Sequence, residues 1–317
     1  MNILIIGGNG TIGKKILSNI NLKNHKVFII NRTISSRFKN IKFLKFNYYK
    51  NTKQLKKLIK KYKFDIVVNI ICFNLKHAER DYRLFKNNIK KYIFVSSTSV
   101  YKKTSKKISE DSEIELTSNN YIDGKIKAEK FFINETENFP FIIMRVCQIY
   151  GHNNIPTLFK KRSFSVLNNM FVNNKIILIK NYNNNWKMIS DDDLGKIIYK
   201  VIVCSNVNIL RNIFNVVPDK SYTWKKIYRV YSKSLNYKVF FEYLDLKKIY
   251  KYKKKIYNYL ILDTLKNANF KNTKIFKFIK KPKFKDFERE MPKIIQKQKK
   301  KILNTKIDKD ISKLFRF

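Results

Sequence analysis

The 317-residue chain is predicted to fold as a doubly wound, parallel α/β sheet with a smaller α+β region appended. Three observations carry that expectation. Strand-like apolar runs alternate with helix-like stretches through the first half. Four of the seven glycines crowd between positions 7 and 13, where the first apolar run ends. The run 65–71 is apolar almost without interruption, as a parallel strand covered on both faces should be.

The elements follow in order. Residues 2–6 are β-branched and apolar and read as the first strand. The chain then breaks into glycines and resumes over 14–20, where Ile16, Leu17 and Ile20 share a helical face. Residues 26–31 form a second strand and 41–47 a shorter third. Residues 52–62 are helical, with Leu55, Leu58 and Ile59 in register. After 65–71 come a helix over 78–90, a strand over 92–96, a helix over 121–135 and a strand over 141–146. Right-handed crossovers place such strands in one sheet, with a ligand crevice outside their C-terminal ends.

Beyond Gly151 the pattern loosens into mixed elements at 160–171, 175–180, 193–202, 213–217 and 223–235. Thr223 before Trp224 reads as an N-cap. Asp191, Asp192 and Asp193 read as a helix N-terminus capped by Asp, not as a cation site. Asparagine runs at 119–120, 153–154 and 183–185 read as loops. A charged helix is expected around 294–302 in a lysine-dense tail.

Hydrophobic residues make up 44% of the chain, ample for a core, yet no apolar run nears the roughly 20 residues of a membrane helix. The sequence opens on its first strand, so no signal peptide is expected. Cys72, Cys147 and Cys204 are widely spaced in apolar settings and read as reduced core thiols of a cytoplasmic protein. His25, His77 and His152 do not cluster with other ligands, so no metal site is expected. The formal charge of +46 raises the question of nucleic acid. Lys, Asn, Ile, Tyr and Phe are abundant while Gly, Pro, Ala and Arg are scarce, which is the pattern of A/T-rich coding. That bias would load any surface with lysine, so a specific nucleic-acid partner is not expected.

The glycine cluster carries chemistry. Gly7, Gly10 and Gly13 form G-x-x-G-x-x-G between a strand and a helix, the context of a dinucleotide fingerprint. Gly7 allows the tight turn, Gly10 lets a pyrophosphate approach the main chain, and Gly13 lets the helix sit close to the sheet. The amides of Thr11, Ile12 and Gly13 would face the phosphates at the helix N-terminus. Residues 1–155 are therefore assigned to a dinucleotide-binding (Rossmann) domain and 156–317 to a mixed α+β substrate-binding region with a lysine-rich tail. Asn31-Arg32 ends the second strand without a carboxylate to meet a ribose 2′-hydroxyl, which favours NADP over NAD. Y-x-x-x-K occurs five times, from Tyr49, Tyr121, Tyr222, Tyr243 and Tyr250. Only Tyr121 and Lys125 lie on a helix that follows the strand ending in Ser96-Ser97.

At these residues the chain resembles the extended short-chain dehydrogenase/reductases, in particular the NAD(P)-dependent sugar epimerase/dehydratase group, in an atypical branch. The resemblance runs from Met1 to about Asp263. It rests on the opening strand and glycine turn, on the strand ending in a serine pair before Val100-Tyr101, and on the Tyr121/Lys125 helix with Lys127-Ala128-Glu129. Met144-Arg145 with Ile149-Tyr150-Gly151, residues 189–194, and Phe214-Asn215-Val216 extend it. The resemblance implies Tyr121 as acid/base, Lys125 as the residue that holds the nicotinamide ribose and lowers the tyrosine pKa, and Ser97 as the residue that orients a substrate hydroxyl. It implies hydride transfer on a nucleotide-linked sugar and makes a homodimer plausible. Three departures stand out: Asn47 where relatives often carry Asp, the bulky run Asn69-Ile70-Ile71-Cys72-Phe73, and Ile122 in place of glycine. The alternative of a dehydrogenase-like scaffold that binds RNA, or senses NADP without turnover, stays open.

Overall fold

The computed structural model describes residues 1–33, 41–102, 104, 106–159, 163–265 and 268–314. In chain order the elements are β1 (Asn2–Ile6), α1 (Thr11–Asn19), β2 (Lys26–Asn31), β3 (Ile41–Lys45), α2 (Thr52–Tyr62), β4 (Ile66–Asn69), α3 (Leu75–Phe85), β5 (Lys91–Ser97), α4 (Asn120–Asn134), β6 (Phe141–Val146), β7 (Gln148–Tyr150) and α5 (Ser163–Asn173). There follow β8 (Lys175–Ile179), β9 (Asn185–Trp186), β10 (Met188–Ser190), α6 (Asp191–Val203), β11 (Asn212–Val216), β12 (Tyr222–Thr223), α7 (Trp224–Ser234), β13 (Phe240–Leu244), α8 (Leu246–Tyr252), α9 (Lys254–Tyr259), α10 (Phe287–Leu303) and α11 (Lys309–Leu314).

Seven strands form one sheet in the order β3-β2-β1-β4-β5-β6-β11, every neighbouring pair parallel. Strand order reverses between β1 and β4, which makes the crevice beyond their C-terminal ends the switch point of the doubly wound sheet. The period-two alternation of each strand feeds two cores. Ile3, Ile5, Val27, Ile29 and Val68 face one layer with Ile16 and Leu17 of α1 and Ile197 of α6. Leu4, Ile6, Phe28, Ile30 and Val67 face the other with Leu55 of α2, Phe85 of α3 and Phe132 of α4. The sheet thus has the predicted class, and its outermost strand, β11, comes from the part of the chain beyond residue 155. In the same way α6 returns to pack on α1.

Boundaries differ where a polar side chain intervenes. α3 begins three residues earlier than periodicity suggests because Asn74 caps it, its Oδ1 accepting the His77 N–H at 3.0 Å. Thr223 caps α7 as expected, accepting from Lys226 N–H. The cap of α6 is Ser190, which accepts from Asp193 N–H, so the expectation of an Asp cap is corrected. The three aspartates occupy the first turn instead, and Asp192 pairs with Lys196 and Lys285 at 3.0 Å each. The asparagine runs are not all loop: Asn119 caps α4, Asn120 opens it, and Asn185 lies in β9. Residues 160–162, expected to open the first mixed element after Gly151, lie outside the described residues.

A polar core ties the layers together. Glu129 on α4 pairs with Arg145 on β6 at 2.7 Å, both side chains almost fully buried. Ser96 of β5 donates to the other Glu129 oxygen, and Arg145 donates to the Glu110 carbonyl at 3.0 Å. Glu110 accepts the Asn215 N–H of β11 at 2.8 Å, and Tyr101 donates to Asn215 at 2.6 Å beneath the Arg145 guanidinium. Removing one member leaves an uncompensated buried charge, which costs far more than the intact pair contributes. Glu129→Gln is expected to lose about 3–5 kcal/mol in urea unfolding, and adding Arg145→Met to recover part of that loss. Unchanged stability in Glu129→Gln would contradict this role.

Candidate active site

The glycine turn is built by backbone constraint. Gly7 has φ +86°, a left-handed conformation that side chains resist. Its carbonyl accepts the Gly10 N–H at 3.2 Å, closing the turn. At Gly13 a Cβ would collide with the Gly8 backbone, so the close approach is to the turn itself as much as to the sheet. At Gly10 an added Cβ would meet only the Gly7 carbonyl at 3.4 Å. No side chain caps α1, whose N-cap is Gly10. An uncapped helix start beside open space is what an anionic ligand requires, because unpaired N–H groups and the helix dipole converge there. The residues present therefore fit a dinucleotide pyrophosphate.

A cleft of about 450 Å³ opens next to this turn. Its walls bring together Ile12 of the first turn of α1, Ser97, Tyr121 and Lys125, which are scattered over more than a hundred positions of sequence, whereas Gly7, Gly10, Thr11 and Gly13 do not line it. Ser97 ends β5, and its Oγ accepts the Ser99 N–H at 3.2 Å. Tyr121 lies in the first turn of α4, where Asn119 Oδ1 accepts its N–H at 3.0 Å. The residue is 47% exposed. One helical turn on, Lys125 is only 1% exposed. Its ammonium donates to the Val95 carbonyl at 2.7 Å and lies over the rings of Phe94 at 4.7 Å, Phe73 at 5.1 Å and Tyr121 at 5.9 Å. Burial pushes its pKa down to about 8, partly offset by the Cys72 and Glu129 side chains. The bound carbonyl uses one of three N–H donors.

Asn31 and Arg32 do not line this cleft. Asn31 ends β2 and donates to Thr33 at 3.2 Å, while Arg32 is exposed. The ends of β2, β1, β4 and β5 follow one another along the sheet edge, so Asn31 and Ser97 are three strand spacings apart, roughly 14 Å. That length suits an extended dinucleotide.

The bulky run after β4 does not fill the crevice. Of residues 69–73 only Ile70 lines the cleft. Cys72 is turned into the core, and burial pushes its thiol pKa up. Phe73 lies over Lys125, its carbonyl so close to α4 that position 124 has no room for a Cβ. Its N–H donates to His77 Nδ1 at 3.2 Å. Burial lowers the His77 pKa to about 4, so the ring is neutral and can accept.

Sequence reasoning missed what holds that loop. Asp81 of α3 is fully buried and accepts from Tyr48 at 2.8 Å, from Tyr92 at 2.6 Å and from Asn69 at 2.6 Å. Asn69 in turn accepts the Ile71 N–H at 2.9 Å, next to the cleft. A buried Asp eight residues past Phe73 has no periodic signature; only the polar residue on the apolar face of α3 hinted at it. Desolvation raises the Asp81 pKa from 3.8 to about 6, against the pull of its three donors. Below about pH 6 the folded state therefore takes up a proton that the unfolded chain binds only near 3.8, and folding gains from acidification across that window. The stability of the wild type relative to Asp81→Asn should rise by about 1.4 kcal/mol per pH unit as pH falls through it, read by denaturant titration. A wild type that loses stability relative to the variant on acidification would mean the donors hold the carboxyl ionised.

Among the described residues no helix is long and apolar enough to cross a membrane. No curated protein matches the sequence. Solved structures with the same fold include a UDP-glucuronic acid 4-epimerase from Bacillus cereus in complex with UDP-glucuronic acid and NAD. It has a TM-score of 0.73 and 15% identity, over 94% of this chain and 99% of that one. A dTDP-glucose 4,6-dehydratase from Bacillus anthracis in complex with NAD gives 0.74 and 18% over 98% and 99%. A UDP-Glc/GlcNAc 4-epimerase from Campylobacter jejuni gives 0.70 and 17% over 94% and 99%. At such identities the likeness speaks for the fold. The sequence profile of the NAD dependent epimerase/dehydratase family matches residues 3–216, about two thirds of the chain. The chain belongs to the NAD dependent epimerase/dehydratase family, and with it to the nicotinamide-dependent enzymes.

Proposed function

We propose that the protein epimerises, dehydrates or reduces a sugar carried on a nucleotide, with Tyr121 as acid/base. The observation that carries this reading is the single cleft in which Ile12, at the start of α1, meets Ser97, Tyr121 and Lys125. A bound nicotinamide would supply the hydride acceptor or donor. The chain's own residues then have separable tasks. The backbone at Gly7, Gly10, Thr11, Ile12 and Gly13 holds the pyrophosphate. Ser97 orients the substrate hydroxyl. Tyr121 takes its proton.

A free tyrosine titrates near 10, so a phenolate near neutral pH needs a cation beside it. Lys125 supplies that charge, with its ammonium 5.9 Å from the Tyr121 ring and still protonated at pH 7 given a pKa of about 8. The Lys125 donors left free by Val95 suit the nicotinamide ribose hydroxyls. A nucleotide-linked sugar is favoured because two of the similar structures belong to enzymes named for UDP-sugars and one for a dTDP-sugar. The absence of a carboxylate at Asn31 and the exposed guanidinium of Arg32 favour NADP over NAD. The region 156–317 takes the role of substrate region, and a homodimer and a cytoplasmic location complete the reading.

Nucleotide sugars are to be tested with each nicotinamide cofactor by single-turnover absorbance. Tyr121→Phe should lower the rate by roughly 10²–10⁴-fold while cofactor affinity is kept. A variant that retains the rate would remove Tyr121 from the chemistry. In the wild type, kcat/KM should fall as pH rises above about 8, because Lys125 then loses the charge that stabilises phenolate. A profile still rising past pH 9 would contradict that role.

A further inference from the structure

The cleft carries little charge for a chain of this composition. Roughly one residue in five of the chain is Lys or Arg. Among the described residues that line the cleft, only Lys102 and Lys125 are cationic, and none is acidic. A coding bias that scatters lysine over every surface does not account for a wall almost free of it. Of the two that remain, Lys125 is buried and already has a task in the proposed chemistry. Lys102 has none.

The backbone fixes where Lys102 starts. It lies five residues after Ser97, with one 3₁₀ turn, Thr98–Val100, between them. Its N–H donates to the Glu113 carbonyl at 2.9 Å, and the Glu115 N–H donates to the Val100 carbonyl at 3.2 Å. Beside it, Tyr101 donates to Asn215 of β11 at 2.6 Å. β11 lies four strands from β1, where the glycine turn begins. The segment thus leads away from the proposed pyrophosphate seat, and Lys102 stands in the part of the cleft left to the substrate.

The ammonium itself is easily released. It donates to both Glu113 carboxylate oxygens at 3.0 Å, with the two side chains 46% and 68% exposed. A pair so open to water contributes little. Glu113 is not part of the cleft wall, and one ammonium N–H is left over. An anion that enters the cleft can take the ammonium from Glu113 at small cost, and no carboxylate in the wall repels it.

Given the reading of the cleft as a sugar-nucleotide site, we infer that Lys102 determines specificity by binding an anionic group of the substrate, a phosphate of its carrier or a carboxylate on its sugar. The charge favours anionic substrates over neutral ones of the same size.

The test is calorimetric titration of UDP-glucose and UDP-glucuronic acid, which differ by one carboxylate, into protein saturated with nicotinamide cofactor. The wild type is compared with Lys102→Gln, Lys102→Arg and Glu113→Gln, and thermal melts confirm that each variant folds. Lys102→Gln should weaken binding about tenfold, and Lys102→Arg should keep most of the affinity. Glu113→Gln should tighten binding, because the competing acid is gone; a lysine that merely braces the loop would not produce that gain. A loss for both sugars assigns the phosphate, and a loss confined to UDP-glucuronic acid assigns the carboxylate. Equal affinity of the wild type and Lys102→Gln for both sugars would overturn the assignment, as would weaker binding by Glu113→Gln. Because the readout is binding, an absence of turnover would count against the proposed reaction alone. A wild type that binds neither sugar would overturn the sugar-nucleotide reading, and this assignment with it.

Discussion

The buried pair of Glu129 and Arg145 is the constraint on which the site depends. It joins α4 to β6, and through Ser96 it holds β5 in the same grip. The residues that meet in the cleft sit directly beside these anchors: Ser97 follows Ser96, and Lys125 stands one helical turn before Glu129 on α4. A charge pair shielded from water tolerates little change of geometry, because any separation exposes each ion to the full cost of burial. The phenol and ammonium are thus referenced to the serine through a short, stiff path.

Around that path the chain solves a second electrostatic problem. Lys125 must keep a positive charge in a place almost without water. The Val95 carbonyl gives it one hydrogen bond, and the faces of Phe73 and Phe94 supply negative ring potential. These contacts offset only part of the desolvation, which is why its pKa stays depressed. Phe73 is kept in place by Gly124 beneath its carbonyl and by His77 at its amide. The substitutions that set this chain apart from the usual pattern after β4 therefore serve the lysine, and the crevice stays open.

Much of this was legible in the sequence. The strands read correctly wherever an apolar run was long enough to be covered on both faces, as at residues 26–31 and 141–146. The glycine turn and the Tyr121/Lys125 pair were legible because each depends on local spacing, and the cleft that holds Tyr121 and Lys125 reaches Ile12, just past the turn. Other features were not legible because they depend on contacts between distant segments. Nothing local in residues 212–216 says that they close the large sheet beside β6. Asp81, Asn69 and three tyrosines converge from three elements and the turn before α2, and only the folded chain makes them neighbours. Asn119 is a cap inside a run that read as loop, and Ser190, the last residue of β10, takes the cap expected of Asp.

Gly10 offers the most direct test of the central claim, that a dinucleotide lies on bare main chain at the start of α1. Its backbone has φ −72°, which any residue can adopt, and an added Cβ would meet only the Gly7 carbonyl, at 3.4 Å. Calorimetric titration of NAD and NADP into Gly10→Val is therefore decisive. The account predicts that the variant melts like the wild type and binds neither cofactor. Cofactor binding as tight as that of the wild type would contradict it.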